Sequence, residues 1–174
     1  KYHPLFLEDP IAPDNVEVMA DVASKISIPI ATGERCINIQ EMELIMTKKA
    51  ARYVRPDVCA LGGITPAKKV AAMAEASYVG IVPHNPLGPV STAACLQLDA
   101  SIPNFTIQEF PSFYLQGGEA AMLKEPLEVE HGYIKVPNRP GIGIDLIDDI
   151  SEKFPPKQRG INAQINYDGS VRDL

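Results

Sequence analysis

The sequence lacks the features that mark several classes of protein. Its three cysteines are odd in number and show no CxxC spacing, which argues against a disulfide framework and a zinc knuckle and favours a reducing cytoplasm. The net charge of −6 comes without any cluster of lysine or arginine, so we do not expect a nucleic-acid partner. No apolar run approaches the roughly 18 residues of a membrane span, and we therefore expect no membrane partner either.

Short apolar runs alternate with amphipathic stretches over the first part of the chain. We expect strands at residues 5–7, 28–31, 53–55, 80–82 and 105–108. Strands that alternate with helices in this way pair in parallel through right-handed crossovers. The pattern therefore predicts an α/β fold, and periodicity alone leaves a barrel and an open sheet as alternatives.

The starts of the four intervening helices are predicted from capping signals. We expect Asp14 to cap the first helix and Asn38 the second, because each is followed three residues later by glutamate. Thr65 is the expected N-cap of the third helix, and the fourth is expected to begin after Pro89.

The later part of the chain has a different pattern. Residues 127–129 and 133–136 predict a short hairpin around His131-Gly132, and the sequence after it shows little periodicity. We therefore divide the chain into a partial (β/α) barrel at 1–125 and a hairpin and tail at 126–174. We expect the second part to pack on the barrel or on a capping domain.

A reactive side chain follows each of the five predicted strands. Successive members are 23 to 27 residues apart, and they are Glu8, Glu34, Asp57, His84 and Glu109. That interval is the length of one strand, one helix and two loops. In barrels of β/α units the active site is built at the C-terminal ends of the strands. The spacing therefore predicts one shared pocket and indicates part of an enzyme.

Two of these residues, Glu8 and Glu34, are carboxylates at corresponding positions of neighbouring strands. Such a pair suits a hard cation such as Mg²⁺, which prefers oxygen ligands. A single glutamate at the end of a strand is more often structural. Arg35, which follows Glu34 in the sequence, is expected to pair with one of the two carboxylates.

Asp57 and His84 follow adjacent predicted strands, where the aspartate can hydrogen-bond one imidazole nitrogen and leave the other to take a proton. This is the arrangement of a general base. Glu109 can stabilise a developing oxyanion if it is protonated, or relay a hydrogen bond. Cys36 and Cys59 lie near the predicted pocket, and we interpret them as packing residues rather than nucleophiles.

These motifs resemble the enolase superfamily, specifically its mandelate racemase subgroup and, within that, sugar-acid dehydratases of the galactonate or gluconate dehydratase kind. The resemblance rests on Leu7-Glu8-Asp9-Pro10, Ile30-Ala31-Thr32-Gly33-Glu34-Arg35, Arg55-Pro56-Asp57, Gly62-Gly63-Ile64-Thr65, Pro83-His84-Asn85-Pro86-Leu87-Gly88-Pro89, Gln108-Glu109 and Asp168-Gly169-Ser170-Val171. It implies a modified TIM barrel, (β/α)7β, of which this chain supplies strands four to eight and an irregular C-terminal tail.

The resemblance also implies roles for the five residues. Glu8 and Glu34 become two of three Mg²⁺ ligands, Asp57 and His84 form a catalytic dyad, and Glu109 hydrogen-bonds the substrate carboxylate as it becomes an enediolate. The implied activity is Mg²⁺-dependent dehydration of a sugar acid (an aldonate). His84 removes the proton next to the carboxylate, and β-elimination of water then gives a 2-keto-3-deoxy acid.

The third metal ligand of the family and its acid for the departing hydroxyl are not found among these residues. The chain begins with Lys1 rather than Met, so we expect upstream sequence, and we expect the isolated chain to be inactive. A homo-oligomer or a complementing N-terminal segment would then complete the barrel. Two alternatives remain open, which are a racemase or epimerase of the same superfamily and a non-catalytic fragment or structural subunit that needs a partner.

Overall fold

Four short strands pair side by side in the order in which they occur in the chain. The computed structural model describes residues 2–111, 118–157 and 165–170, and Val171 of the last motif lies outside them. The strands are β1 (Leu7–Glu8), β2 (Ile30–Thr32), β3 (Tyr53–Val54) and β4 (Gly80–Ile81). Every pair is parallel, so all four strands end at the same edge of the sheet.

A helix follows each strand and returns the chain to the start of the next one. The helices are α1 (Val16–Lys25), α2 (Ile39–Thr47), α3 (Ile64–Ala76) and α4 (Pro89–Asp99). None of the helices among the described residues combines the length and the hydrophobicity that a membrane span requires. The predicted alternation of strand and helix is therefore present.

Two of the predicted helix starts are wrong by one or two residues. The N-cap of α1 is Asn15 rather than Asp14, and its side-chain oxygen accepts a hydrogen bond from the Val18 N–H at 3.0 Å. Helix α3 starts after Gly63 rather than Thr65, because Gly63 has a φ of 118° and turns the loop directly into the helix. Asn38 caps α2 as predicted and accepts a hydrogen bond from the Glu41 N–H at 2.9 Å.

The fifth predicted strand, 105–108, is reduced to a single parallel bridge between Phe105 and Ile81. The Thr106 N–H donates to the Ile81 carbonyl at 2.9 Å, but the next donor on the β4 side would be residue 83, which is proline and has no N–H. The ladder therefore stops there. Gly80 permits the close approach, since a Cβ at this position would meet Thr106 Oγ1 at 2.6 Å.

The main hydrophobic core lies between the sheet and the four helices. Strand residues Ile30, Val54 and Ile81 are at most 2% exposed and belong to one cluster with residues of every helix. The fully or nearly fully buried helix members are Met19, Met42, Ile45, Val70, Ala71, Ala74, Cys95 and Leu98. Since this face of the sheet is apolar, the polar side chains at the strand ends are left to the opposite face.

The later part of the chain packs against α4. A 3-10 turn (Ala120–Met122) precedes a two-stranded antiparallel hairpin of β5 (Val129–Glu130) and β6 (Tyr133–Ile134), and a short helix α5 (Ile150–Lys153) follows. Leu127 and Leu123 pack on Leu96 of α4 in a second small cluster. The hairpin lies where the sequence predicts it, and the division of the chain at residues 125 and 126 stays a prediction.

Candidate active site

The strand ends bring the five predicted residues to one edge of the sheet. Glu8 is the last residue of β1, and the other four follow β2, β3, β4 and the Phe105 bridge by two to four residues. A network of hydrogen bonds and ion pairs connects all five: Glu8, Glu34, Asp57, His84 and Glu109. The predicted spacing thus corresponds to one connected group of side chains.

Asp57 orients His84. Its Oδ2 lies 3.0 Å from His84 Nδ1, and its Oδ1 accepts hydrogen bonds from the N–H groups of Cys59 at 2.7 Å and Ala60 at 3.0 Å. A carboxylate that already accepts two backbone hydrogen bonds is held as an acceptor, so we assign the imidazole hydrogen to Nδ1. His84 Nε2 then carries the lone pair and faces Glu34 Oε2 at 3.4 Å. This nitrogen is available to take a proton.

Glu8 and Glu34 form a pair of carboxylates across β1 and β2. Burial raises the pKa of Glu8, and the neighbouring carboxylates of Glu34 and Glu109 add to the rise, whereas Arg55 opposes it. Two carboxyl groups in such close contact repel one another when both are ionised. A bound cation would remove that repulsion.

The guanidinium that neutralises this region belongs to Arg55, the first residue of the motif Arg55-Pro56-Asp57, for which the sequence predicts no role. It is 4% exposed, its Nη2 donates to Glu109 Oε2 at 2.7 Å, and the same nitrogen lies 4.0 Å from Glu34. Arg55 Nε lies 2.8 Å from Glu8 Oε1, but its N–H does not point at the oxygen, so this contact is an ion pair rather than a hydrogen bond. Among the described residues Arg35 forms no ion pair with Glu8 or Glu34, so the prediction that Arg35 is their partner is wrong.

Glu109 is held from two sides. Besides Arg55, the backbone N–H of Asn85 donates to Glu109 Oε2 at 2.9 Å. The Asn85 side chain is fully buried, and its Nδ2 donates to Thr92 Oγ1 at 2.8 Å and to the Glu109 carbonyl at 3.3 Å. The residue next to His84 therefore fixes Glu109 and anchors the loop to α4.

A sequence signal for Arg55 existed. Residues two apart on a strand point to the same face, so Arg55 shares its face with Asp57. Arg35 is adjacent to Glu34 and therefore points away from it. The role of Asn85 in holding Glu109 was harder to predict, because a polar residue often stands beside a reactive histidine in a loop.

The described ranges contain no group of three or more His, Cys, Asp or Glu side chains placed to hold a metal ion. Glu8 and Glu34 nevertheless offer oxygen donors only, from two adjacent strands, which is the donor type that hard divalent cations prefer. Their close contact and the raised pKa of Glu8 fit a cation between them.

Cys36 and Cys95 do not resemble activated nucleophiles. Burial raises the pKa of Cys36 to about 11, and the nearby carboxylates of Glu41 and Asp9 raise it further. Burial likewise raises the pKa of Cys95 to about 12. A thiol with so high a pKa is not ionised near neutral pH, which agrees with the packing interpretation of Cys36.

A cavity of about 290 Å³ lies on the outer side of β2, lined by residues of β2, the loop after it, α1 and α2. Thr32, Arg35 and Cys36 line it, but the five site residues do not. The candidate site therefore lies on the open inner face of the sheet rather than in this cavity.

The comparisons with known proteins agree with this geometry. A family model described as enolase C-terminal domain-like matches residues 1–150. A D-galactonate dehydratase of Ralstonia nicotianae is 39% identical over 150 residues, which cover 83% of this chain and 39% of that protein. The chain thus spans well under half the length of this curated relative.

Solved structures of mandelate racemase-like proteins and enolases are also similar to this chain. A mandelate racemase/muconate lactonizing enzyme-like protein from Roseovarius sp. TM1035 is 36% identical with a TM-score of 0.84, over 94% of this chain and 41% of that one. An enolase from Agrobacterium radiobacter, with Na and L-malate bound, is 30% identical with a TM-score of 0.85, over 97% of this chain and 46% of that one. These likenesses confirm the predicted α/β fold of the TIM-barrel type. The chain belongs to the enolase C-terminal domain-like family.

Proposed function

We propose that this chain carries the proton-abstracting half of the active site of a Mg²⁺-dependent sugar-acid dehydratase. The observation that supports this most is the pair of Asp57 and His84. His84 Nδ1 lies 3.0 Å from Asp57 Oδ2, and His84 Nε2 faces Glu34. Curated relatives named D-galactonate dehydratase suggest an aldonate as the substrate.

The first step would be removal of the proton next to the substrate carboxylate. His84 Nε2 accepts that proton, and the electron pair of the C–H bond moves towards the carboxylate. Asp57 stabilises the resulting imidazolium through its hydrogen bond to Nδ1, because a fixed carboxylate beside a positive charge lowers its energy. Both carboxylate oxygens of Asp57 are already occupied, so the imidazole is held in one orientation.

Negative charge then develops on the substrate carboxylate. We assign Glu109 to this end of the substrate, since its hydrogen bonds from Arg55 and Asn85 both use Oε2 and leave Oε1, which as part of a protonated carboxyl group would donate a hydrogen bond to the substrate carboxylate. Glu8 and Glu34 would hold the cation. Mg²⁺, when bound, supplies positive charge that stabilises the ionised substrate.

The second step is loss of the 3-hydroxyl, which leaves as water once it has received a proton. The described residues offer no second histidine at this edge of the sheet to supply that proton. We therefore propose that a complementing segment or a second copy of the chain provides it together with a third metal ligand, and that the isolated chain is inactive. The cytoplasmic location remains a prediction.

The test is an assay for a 2-keto-3-deoxy acid, which reacts with semicarbazide. The chain would be assayed alone and as a completed barrel, in which the remaining part of the Ralstonia nicotianae relative is fused to it. We expect D-galactonate or another aldonate to be dehydrated by the completed barrel in the presence of Mg²⁺, and the activity to be lost with EDTA. An epimer in place of the keto acid would favour the racemase alternative.

The matched control is a second histidine. His84→Asn should abolish dehydration and also the exchange of the substrate proton for deuterium in D₂O. His131→Asn, in the exposed hairpin turn, should leave both unchanged. Equal activity of the two variants would refute the role of His84.

A further inference from the structure

Arg55 is the most buried charged side chain of the candidate site. It follows the last residue of β3 and is 4% exposed, whereas the side chains of Glu8, Glu34 and Glu109 are between 28% and 40% exposed. Burial of a guanidinium is costly unless opposite charges surround it. The three glutamates supply these charges from three different segments of the chain.

The contacts of Arg55 are divided between its nitrogens. Nη2 binds Glu109 at 2.7 Å and Nε lies against Glu8 at 2.8 Å. A lysine ammonium is a single point charge, whereas the planar guanidinium places two separate nitrogens against two partners at once. Across the described residues, Arg55 is the only lysine or arginine within ion-pair distance of these glutamates.

We propose that Arg55 is a positioning residue that fixes Glu109 for the substrate and that its charge competes for Glu8 with the cation that Glu8 and Glu34 would hold. This inference rests on the proposed function for its catalytic part. Its metal-binding part depends only on the charges that surround Glu8.

The two parts predict effects of opposite sign for Arg55→Gln. Glu109 loses a charge-assisted hydrogen bond and its fixed orientation, so we expect kcat to fall by about 10- to 100-fold with little change in KM. Glu8 and Glu34 lose the positive charge that competes with the cation, so we expect Mg²⁺ to bind about three- to tenfold more tightly. A residue that only supports the fold would weaken both when it is removed.

Arg55→Lys separates the two parts, because it keeps the charge but loses the planar fork. We expect its Mg²⁺ affinity to stay within about twofold of that of the parent chain, since the charge near Glu8 is unchanged. Its kcat should still fall by about tenfold, because one ammonium does not hold Glu8 and Glu109 together.

Mg²⁺ binding would be measured by titrating the 174-residue chain with MgCl₂ and following NMR chemical shifts, which detect weak affinity. Kinetic constants would be measured on the completed barrel, and thermal melting would check that each variant folds. Arg139→Gln is the matched control, since it removes an arginine ion pair with Glu125 outside the site. It should change neither the Mg²⁺ affinity nor kcat.

Tighter Mg²⁺ binding with lower kcat in Arg55→Gln, and unchanged affinity with lower kcat in Arg55→Lys, would support the proposal. Weaker or unchanged Mg²⁺ binding in Arg55→Gln would overturn the competition for Glu8, and an unchanged kcat would overturn the positioning of Glu109. If Arg55→Gln does not fold, the kcat of Arg55→Lys still tests whether Arg55 positions Glu109. A completed barrel without activity would count against the proposed function, whereas the Mg²⁺ titration would still judge Arg55.

Discussion

Asp57 at the strand ends is 6% exposed and accepts three hydrogen bonds, whereas Asp99 in α4 is 9% exposed and accepts none from the described residues. Burial raises the pKa of Asp99 to about 8. The strand ends therefore give a buried carboxylate three hydrogen-bond donors, whereas the helical layer keeps a buried carboxyl group neutral through a bound proton. The carboxylate of Asp57 is placed by its hydrogen bonds to orient His84, whereas the carboxyl group of Asp99 has no comparable contacts among the described residues.

Replacement of each aspartate by asparagine in turn should give the largest difference between the two positions. Asp57→Asn should lower the rate of dehydration by the completed barrel by about 10²- to 10⁴-fold. The amide introduced by this substitution would donate to His84 Nδ1 and place the imidazole hydrogen on Nε2, where it prevents proton uptake. Asp99→Asn, assayed in parallel, should leave the rate unchanged. Equal rates for both variants would refute the contrast.

Buried side chains such as Met42 stabilise the packing of the helices on the sheet. Met42 is fully buried in the core cluster, and its Sδ would lie 3.1 Å from a Cβ at Gly33. Met42→Ala should lower the free energy of unfolding by about 2–5 kcal/mol, because it leaves a cavity next to β2. Leu44→Ala, on the exposed side of the same helix, should cost less than about 1 kcal/mol. Urea denaturation of the two variants measures the difference.

Asp99 makes the stability of the chain depend on pH. The raised pKa of Asp99 means that its favourable contribution to stability is complete below pH 4 and is lost progressively as the pH rises to about 8. Asp99→Asn removes this titration, so we expect it to stabilise the chain by about 1–3 kcal/mol at pH 8. The variant should also flatten the pH dependence of the melting temperature between pH 4 and 8. A parent chain with a flat profile over that range would contradict the prediction.

The smallest expected effect tests a polar side chain that acts on its own helix. Asn15→Ala removes the cap of α1 and should cost about 1 kcal/mol in the free energy of unfolding. Asp14→Ala is its control, and should change stability by less than about 0.5 kcal/mol because the structure gives the capping bond to Asn15. The reverse order of effects would restore Asp14 as the cap.

The sequence predicted the group at the strand ends because parallel strands of one sheet finish together, so regular spacing along the chain becomes proximity in space. It could not predict where the ladders stop. Phe105 keeps one bridge to β4 because the neighbouring chain continues into Pro83, and such a loss depends on which residues face each other across strands. Strand pairing is not encoded locally.

The partner of the glutamates was missed for a related reason. Arg35 lies beside Glu34 in the sequence, whereas Arg55 reaches Glu8, Glu34 and Glu109 across the sheet. Proximity in sequence favoured the wrong arginine. The alternation of side chains along a strand, applied to Arg55 and Asp57, favours the right one.

Asp57 also has a mechanical consequence. One of its oxygens is tied to the backbone of the loop between β3 and α3, and the other to the imidazole of His84. The loop and the ring are therefore coupled through a single carboxylate. A displacement of the loop would therefore turn the imidazole ring as well. A ligand or partner that contacts the loop at Cys59 or Ala60 would change the orientation of His84 Nε2 without contacting that nitrogen.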